Sequence, residues 1–149
     1  PSVSRGRSIR PEYDAGSLAW LLDLLGRKPG RGALQKVMLE NSYREIVGWY
    51  LYYLKPGGIS EVVQIAARDG CFGAILDHLL YHARERGAVA ASGQLDPLEL
   101  KTFWERSCVF HHDGASWVLV HARRREIVEA IHRGDAFLTR LEGEWWISP

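Results

Sequence analysis

The apolar positions change period several times along the chain, and each change marks an element. Leu18, Leu21, Leu22 and Leu25 recur at helical spacing behind Ser17, which predicts a helix capped by that serine. The stretch GRKPGRG at 26–32 breaks it. Residues 33–39 alternate weakly, a polar turn follows at 40–44, and IVGWYLYYL at 46–54 is dense in β-forming side chains. KPGG at 55–58 interrupts, and ISEVVQIAA at 59–67 supplies a third strand. Residues 33–67 therefore read as an antiparallel meander. In its middle strand, alternation sends Trp49, Leu51 and Tyr53 to one face and Tyr50, Tyr52 and Leu54 to the other. One set is expected in the core. The other either lines an acceptor pocket or meets a partner domain.

The period then returns to helical. After RDGCFG at 68–73, residues 74–86 carry Ile75, Leu76, Leu79, Leu80 and Ala83 as a buried stripe, with Gly87 just past the end. A short apolar strand at 89–92 follows, so a right-handed crossover and a parallel pair are expected. Asp96-Pro97 opens a second helix that should run to about residue 107. Beyond it the pattern predicts a short strand at 109–111, a turn at Asp113-Gly114, a strand at 117–122 and a helix at 125–132. A hairpin of 136–141 with 144–147 should close the chain. Residues 1–13 are polar and basic and read as a flexible N-terminal segment, leaving 14–149 as a single domain.

Composition narrows the class. Of 149 residues, 46% are hydrophobic and 25% charged, the balance of a folded globular domain. No apolar run approaches the roughly 20 residues of a membrane helix, so no membrane partner is expected. A net charge of +1 gives no general attraction to nucleic acid. Only Cys71 and Cys108 carry thiols, which argues against a disulfide scaffold and for a reducing, cytoplasmic setting. The chain opens on Pro1 rather than methionine, as a piece of a longer protein would.

The stretch with the most chemistry is the turn between the third strand and the long helix. A helix that starts straight after a strand points unpaired N–H groups, and roughly half a positive charge, at what lies before it. Gly70 and Gly73 let an anion approach the backbone, and Arg68 adds a cation. Neither GxxxxGK[ST] nor GxGxxG is present, which excludes the usual NTPase and dinucleotide loops.

The succession of hairpin, strand, Arg-x-x-x-x-Gly turn, long helix, strand and second helix resembles the GNAT acyltransferase superfamily over residues 32–122. That family holds the pyrophosphate of acetyl-CoA on an (Arg/Gln)-x-x-Gly-x-(Gly/Ala) turn. Arg68 and Gly73 match its ends, Cys71 stands at the usual middle glycine, and Gly70 lies one place early. The resemblance implies an α/β fold, a GNAT-like central mixed β-sheet flanked by helices. It implies acetyl-CoA or another acyl-CoA as cosubstrate, with no metal. Arg68, Asp69, Gly70, Cys71, Phe72, Gly73 and Ala74 would bind its phosphates, and the backbone around Val63 and Ile65 would pair with the pantetheine arm. The acceptor would be a small-molecule amine or an N-terminal amine. Phe103 and Phe110 echo the family's second-helix pattern, whereas Trp104 takes the place of a tyrosine that often protonates the leaving thiolate. An indole N–H cannot act as an ionisable acid. The chain also looks like the C-terminal half of a tandem GNAT protein. That leaves an alternative in which a catalytically degenerate module supports an N-terminal acyltransferase half, or pairs with a second copy of itself.

Other side chains are candidates for chemistry. Glu61, on the strand leading into the turn, is the best-placed candidate base, with Gln64 as a neutral alternative for orienting a water. His78 and His82 share a helix face without an evident third metal ligand and read as surface histidines. His111-His112-Asp113 reads as a polar turn. Cys71 sits where a helix N-terminus favours a thiolate, but no histidine is placed beside it by the sequence.

Overall fold

A computed structural model describes residues 6–111 and 120–142. Helix α1 (Ala15–Gly26) leads into strands β1 (Ala33–Glu40), β2 (Ile46–Leu54) and β3 (Ile59–Ala67). Helix α2 (Phe72–Glu85) crosses to strand β4 (Ala90–Ser92), and α3 (Leu100–Glu105) and α4 (Arg125–His132) follow. The sheet order is β1-β2-β3-β4, antiparallel except for the β3–β4 pair. The expected meander and parallel crossover are both present.

The alternation of β2 splits the core in two. Tyr50 and Tyr52 pack under Ile75, Leu79 and Ala83 of α2. Leu51 and Tyr53 pack with Val63, Leu25 of α1 and Leu141. The face that might have lined an acceptor pocket is thus core as well, since all four of these β2 side chains are buried. Gly48 makes the α2 side possible. A Cβ there would lie 2.6 Å from the Ala66 carbonyl oxygen and 2.7 Å from Ile75.

Two features of β3 prepare the site. Leu51 pairs with Gln64 and Tyr52 with Val62, so Val63 is the extra residue of a bulge. On the other edge, β4 pairs only at Ile59, Ser60 and Glu61. From Val62 to Ala67 that edge of β3 has no β4 partner, and the two strands part.

Several boundaries differ from the sequence expectation. Asp14, not Ser17, caps α1: its Oδ1 accepts the Ser17 N–H at 2.7 Å, and the helix starts before the serine. Helix α2 begins at Phe72, so Gly73 and Ala74 lie in its first turn. The helix expected to reach 107 is a 3-10 turn (Pro97–Glu99) running into the short α3. Asp96 does cap it, accepting from the Leu98 N–H at 3.0 Å. Ser107 stops it early by adopting a left-handed φ of 56°. No strand forms at 109–111. The stretch 136–141 makes one parallel bridge, Ala136 with Ile9, instead of a strand: the Phe137 N–H donates to the Ile9 carbonyl, while the Thr139 and Leu141 amides donate to the side chains of Glu142 and Thr139. The partner at 144–147, the Asp113-Gly114 turn and residues 117–119 of the expected 117–122 strand lie outside the described residues, and 120–122 form no strand. Arg7 pairs with Asp96, and Ser8 donates to Asp135, which holds residues 7–9 against the segment after α4.

Candidate functional site

The parting of β3 and β4 opens a cleft. Its larger cavity, about 340 Å³, lies between Val62 and Ile65 of β3, Ala91 and Ser92 of β4, the stripe of α2, and the stretch 108–111 after α3. A smaller cavity of about 40 Å³ continues towards Phe72 and shares Val62, Ile65 and Phe103 with the first. The lining is mostly aliphatic and aromatic. Phe72 and Phe103 meet edge to face at 5.4 Å and floor the smaller part.

The turn sits where β3 ends. The Arg68 N–H donates to the Val47 carbonyl at 2.8 Å, and the Cys71 N–H closes the turn on the Arg68 carbonyl at 2.9 Å. Gly70 takes φ 76°, a left-handed conformation that favours glycine. Cys71 is the N-cap of α2 but makes no side-chain capping bond, and the first turn holds no acidic residue. The N–H groups at the start of α2 therefore carry their partial positive charge without a side-chain acceptor at the cap.

The charges around the turn are arranged differently from the sequence expectation. Arg68 is half exposed and pairs with Glu45 at 3.0 Å. The guanidinium against the α2 N-terminus is that of Arg106, whose Nη2 would lie 2.4 Å from a Cβ on Gly73. Arg106 is held by a two-pronged bond to Asp77, at 2.6 and 2.9 Å. That bond is the main reason its pKa is raised and the Asp77 carboxyl stays below the usual range. No local signal marked Arg106, because only the folding of α3 back across α2 brings it to Gly73.

Glu61 stands where the β3–β4 pairing ends. Both its oxygens accept from Arg31, at 3.1 and 3.0 Å, and Oε1 also accepts from Arg140, which lines the larger cavity. Gln64 is buried and fully engaged: it accepts from the Trp49 indole at 2.8 Å and donates to Thr139 and Glu142. That leaves it no evident capacity to orient a water. Trp104 is 73% exposed and lines neither cavity.

The two helix histidines are not simple surface residues. His78 and His82 hydrogen-bond through Nδ1 to the hydroxyls of Tyr50 and Tyr52, each at 2.8 Å. Their rings stack 6.0 Å apart. Burial is the main reason the His82 pKa is lowered, with Arg86 and His78 adding to it. Among the described residues no group of three side chains could hold a metal ion. No helix among them is long and apolar enough to cross a membrane.

No family model matches this chain, and no curated protein matches it in sequence. Solved structures do. An acetyltransferase of Trypanosoma brucei superposes with a TM-score of 0.53 at 16% identity, over 73% of this chain and 82% of that one. A ribosomal-protein-alanine N-acetyltransferase of Brucella melitensis biovar Abortus aligns with a TM-score of 0.42 at 19% identity, over 72% of this chain and 90% of that one. The first of these shows a shared fold. The mixed sheet with its flanking helices is the fold that this chain shares with that acetyltransferase.

Proposed function

We propose that this chain is an acyl-CoA-dependent N-acyltransferase of GNAT type. The observation that carries the reading is the apolar cleft between β3 and β4, which leads to a helix N-terminus with no side-chain cap. The turn Arg68–Ala74 would receive the pyrophosphate on backbone N–H groups, an arrangement worth most when the anion is drawn out of water. The unpaired edge of β3 after Glu61, around Val63 and Ile65, offers backbone groups to the pantetheine amides. The thioester would then lie near the closed end of the cleft, at Glu61 and Ser92. Catalysis would be mainly positional, with the amine held against the thioester carbonyl. Glu61 is the candidate base; Arg31 and Arg140 fix its carboxylate at that end. The two free thiols support a reducing, cytoplasmic setting.

Calorimetric titration with acetyl-CoA and with CoA tests this. Micromolar binding is expected, weakened at least tenfold in Gly73→Asp, whose carboxylate would stand at the amides. Absence of binding at millimolar ligand would overturn the reading.

A second reading keeps the fold and drops the catalysis. Glu61 held by two guanidiniums, Arg106 resting against Gly73 and an exposed Trp104 all suit a module that supports an N-terminal acyltransferase half or a homodimer partner. Acyl transfer to any amine by this chain alone would remove it.

A further inference from the structure

Strand β1 forms an edge of the sheet. It pairs with β2 on one side, and among the described residues no strand pairs with the other. Free edges are usually kept short or broken by a proline or a bulge, because their N–H and C=O groups invite a further strand. β1 has eight residues and no proline. The one bulge beside it, at Leu39 and Glu40, puts its extra residue, Val47, in β2, so β1 itself stays regular. The Asn41 N–H turns inward and donates to the Glu45 carbonyl at 2.9 Å. Alternation back along the strand then turns the N–H and C=O groups of Glu40, Met38 and Lys36 outward. The side chains of the same three residues are exposed and share the sheet face of Leu34, which packs with α1. Val37 and Leu39 pack on the other face, with α2.

We propose that the outer edge of β1 pairs antiparallel with β1 of a second copy of this chain, about a two-fold axis through Met38. The charges select both the partner and the register. Only with Met38 on the axis does Lys36 of each copy stand opposite Glu40 of the other, so the cation and the anion are matched twice. An axis through Val37 sets Lys36 against Met38, and one through Lys36 sets lysine against lysine. A slip of one residue turns outward groups against inward ones and forfeits the ladder. Met38, 59% exposed in the single chain, is covered by its own counterpart. Past Glu40 the register carries the hairpin turn of the second copy, with its exposed Tyr43, beyond Gln35. There it meets the open groove that Lys36 forms with Ala19, Leu22 and Gly26 of α1. Strand, charges, aromatic side chain and groove are all present on each chain, as a two-fold interface requires. β1 lies at the opposite edge of the sheet from the β3–β4 pair, so both clefts stay open and the proposal does not rest on the acyl-CoA reading.

Sedimentation of the whole chain from about 1 to 200 µM tests this, a range that brackets the dissociation constant of a small interface. A monomer–dimer equilibrium is expected, with Kd on the order of 10 µM and weakening as salt rises. Lys36→Glu and Glu40→Lys each act at both pairs and should raise Kd about tenfold or more. The double exchange restores opposite charges and should return Kd to within about threefold of the wild type. Met38→Pro removes an outward N–H that takes no part in the β1–β2 ladder. It should give a monomer whose circular dichroism matches the wild type. A chain that stays monomeric at about 200 µM would overturn the proposal and leave the edge to a strand of another protein. A dimer that survives in a folded Met38→Pro protein, or a double exchange that fails to restore what the single ones lose, would also overturn it. The charge exchange is read as rescue of one variant by the other, so it decides the matter even where the proline variant does not fold.

Discussion

Acid should loosen the packing of α2 through the His82–Tyr52 pair. Tyr50 and Tyr52 are fully buried, and their hydroxyls meet the Nδ1 atoms of His78 and His82. Burial pushes the Tyr50 phenol up to about 12, so it stays a donor throughout the physiological range. With the ring proton of the neutral histidine on Nε2, the phenol is the donor to Nδ1. Protonating His82 puts a proton on both nitrogens and reverses the bond. It also creates a cation one turn from His78, beside Arg86 and over the buried ring of Tyr52. The folded-state pKa of His82 lies below its unfolded value of roughly 6.5. The unfolded chain therefore binds the proton first as pH falls. The contribution of His82 to stability is complete above the unfolded pKa and is lost below it, down through the folded pKa.

The size follows from the same geometry. A single titrating group can change stability by at most about 1.4 kcal/mol per pH unit, and His82 is partly exposed, so the realised slope is smaller. Loss of the hydrogen bond itself is worth about 1 kcal/mol, and leaving the Tyr52 hydroxyl unpaired about 1–3 kcal/mol. Urea unfolding followed by tryptophan fluorescence at pH 5, 6, 7 and 8 measures both. The wild type should lose stability below about pH 6.5. His82→Asn keeps a hydrogen-bonding atom near Nδ1 but cannot titrate. It should sit within about 1 kcal/mol of wild type at pH 8 and show a shallower loss towards pH 5. His82→Ala should be less stable at every pH. An unchanged pH slope in His82→Asn would refute the assignment of the acid sensitivity to this pair.

Other expectations are simpler. Gly48→Val should destabilise by more than about 2 kcal/mol in urea unfolding, because its Cβ meets the Ala66 carbonyl and Ile75, both fixed in the core. Asp14→Ala should cost about 1 kcal/mol through the lost α1 cap, while Ser17→Ala, the residue that the sequence favoured, should cost less. Asp77→Asn removes the charge that anchors Arg106 beside Gly73. On the acyl-CoA reading it should tighten CoA binding a few-fold in low-salt calorimetry, with the gain shrinking as salt rises. Glu61→Gln should lower acyl transfer while leaving acetyl-CoA affinity within about twofold, checked by a CoA-thiol release assay beside calorimetry.

The sheet was legible because strand alternation and turn residues are local. Tyr50 and Tyr52 faced α2 as the period required, and Gly57 and Gly70 took the left-handed conformations their turns needed. The cap of α1 was misplaced because Asp14 and Ser17 are both good capping residues three positions apart, and sequence does not rank them. The early stop of α3 was hidden because Ser107 carries no left-handed signature of the kind a glycine or asparagine would give. The turn of the candidate site could be found locally, but the cleft could not. Its opening depends on where β4 leaves β3, which is set by the three-residue length of β4 and by the segment that follows it. The partners that give the site its charge were likewise out of reach, since Arg68 answers to Glu45 on the neighbouring hairpin while Arg106 arrives from α3. His78 and His82 show the same limit from the other side. They lie off the leucine stripe and so read as solvent-facing, yet a sheet that presents tyrosine hydroxyls rather than methyl groups can hold a polar row at the margin of a helix interface. A residue's place on a helix wheel fixes the direction it faces; what it meets there is decided by the chemistry of the opposing strand.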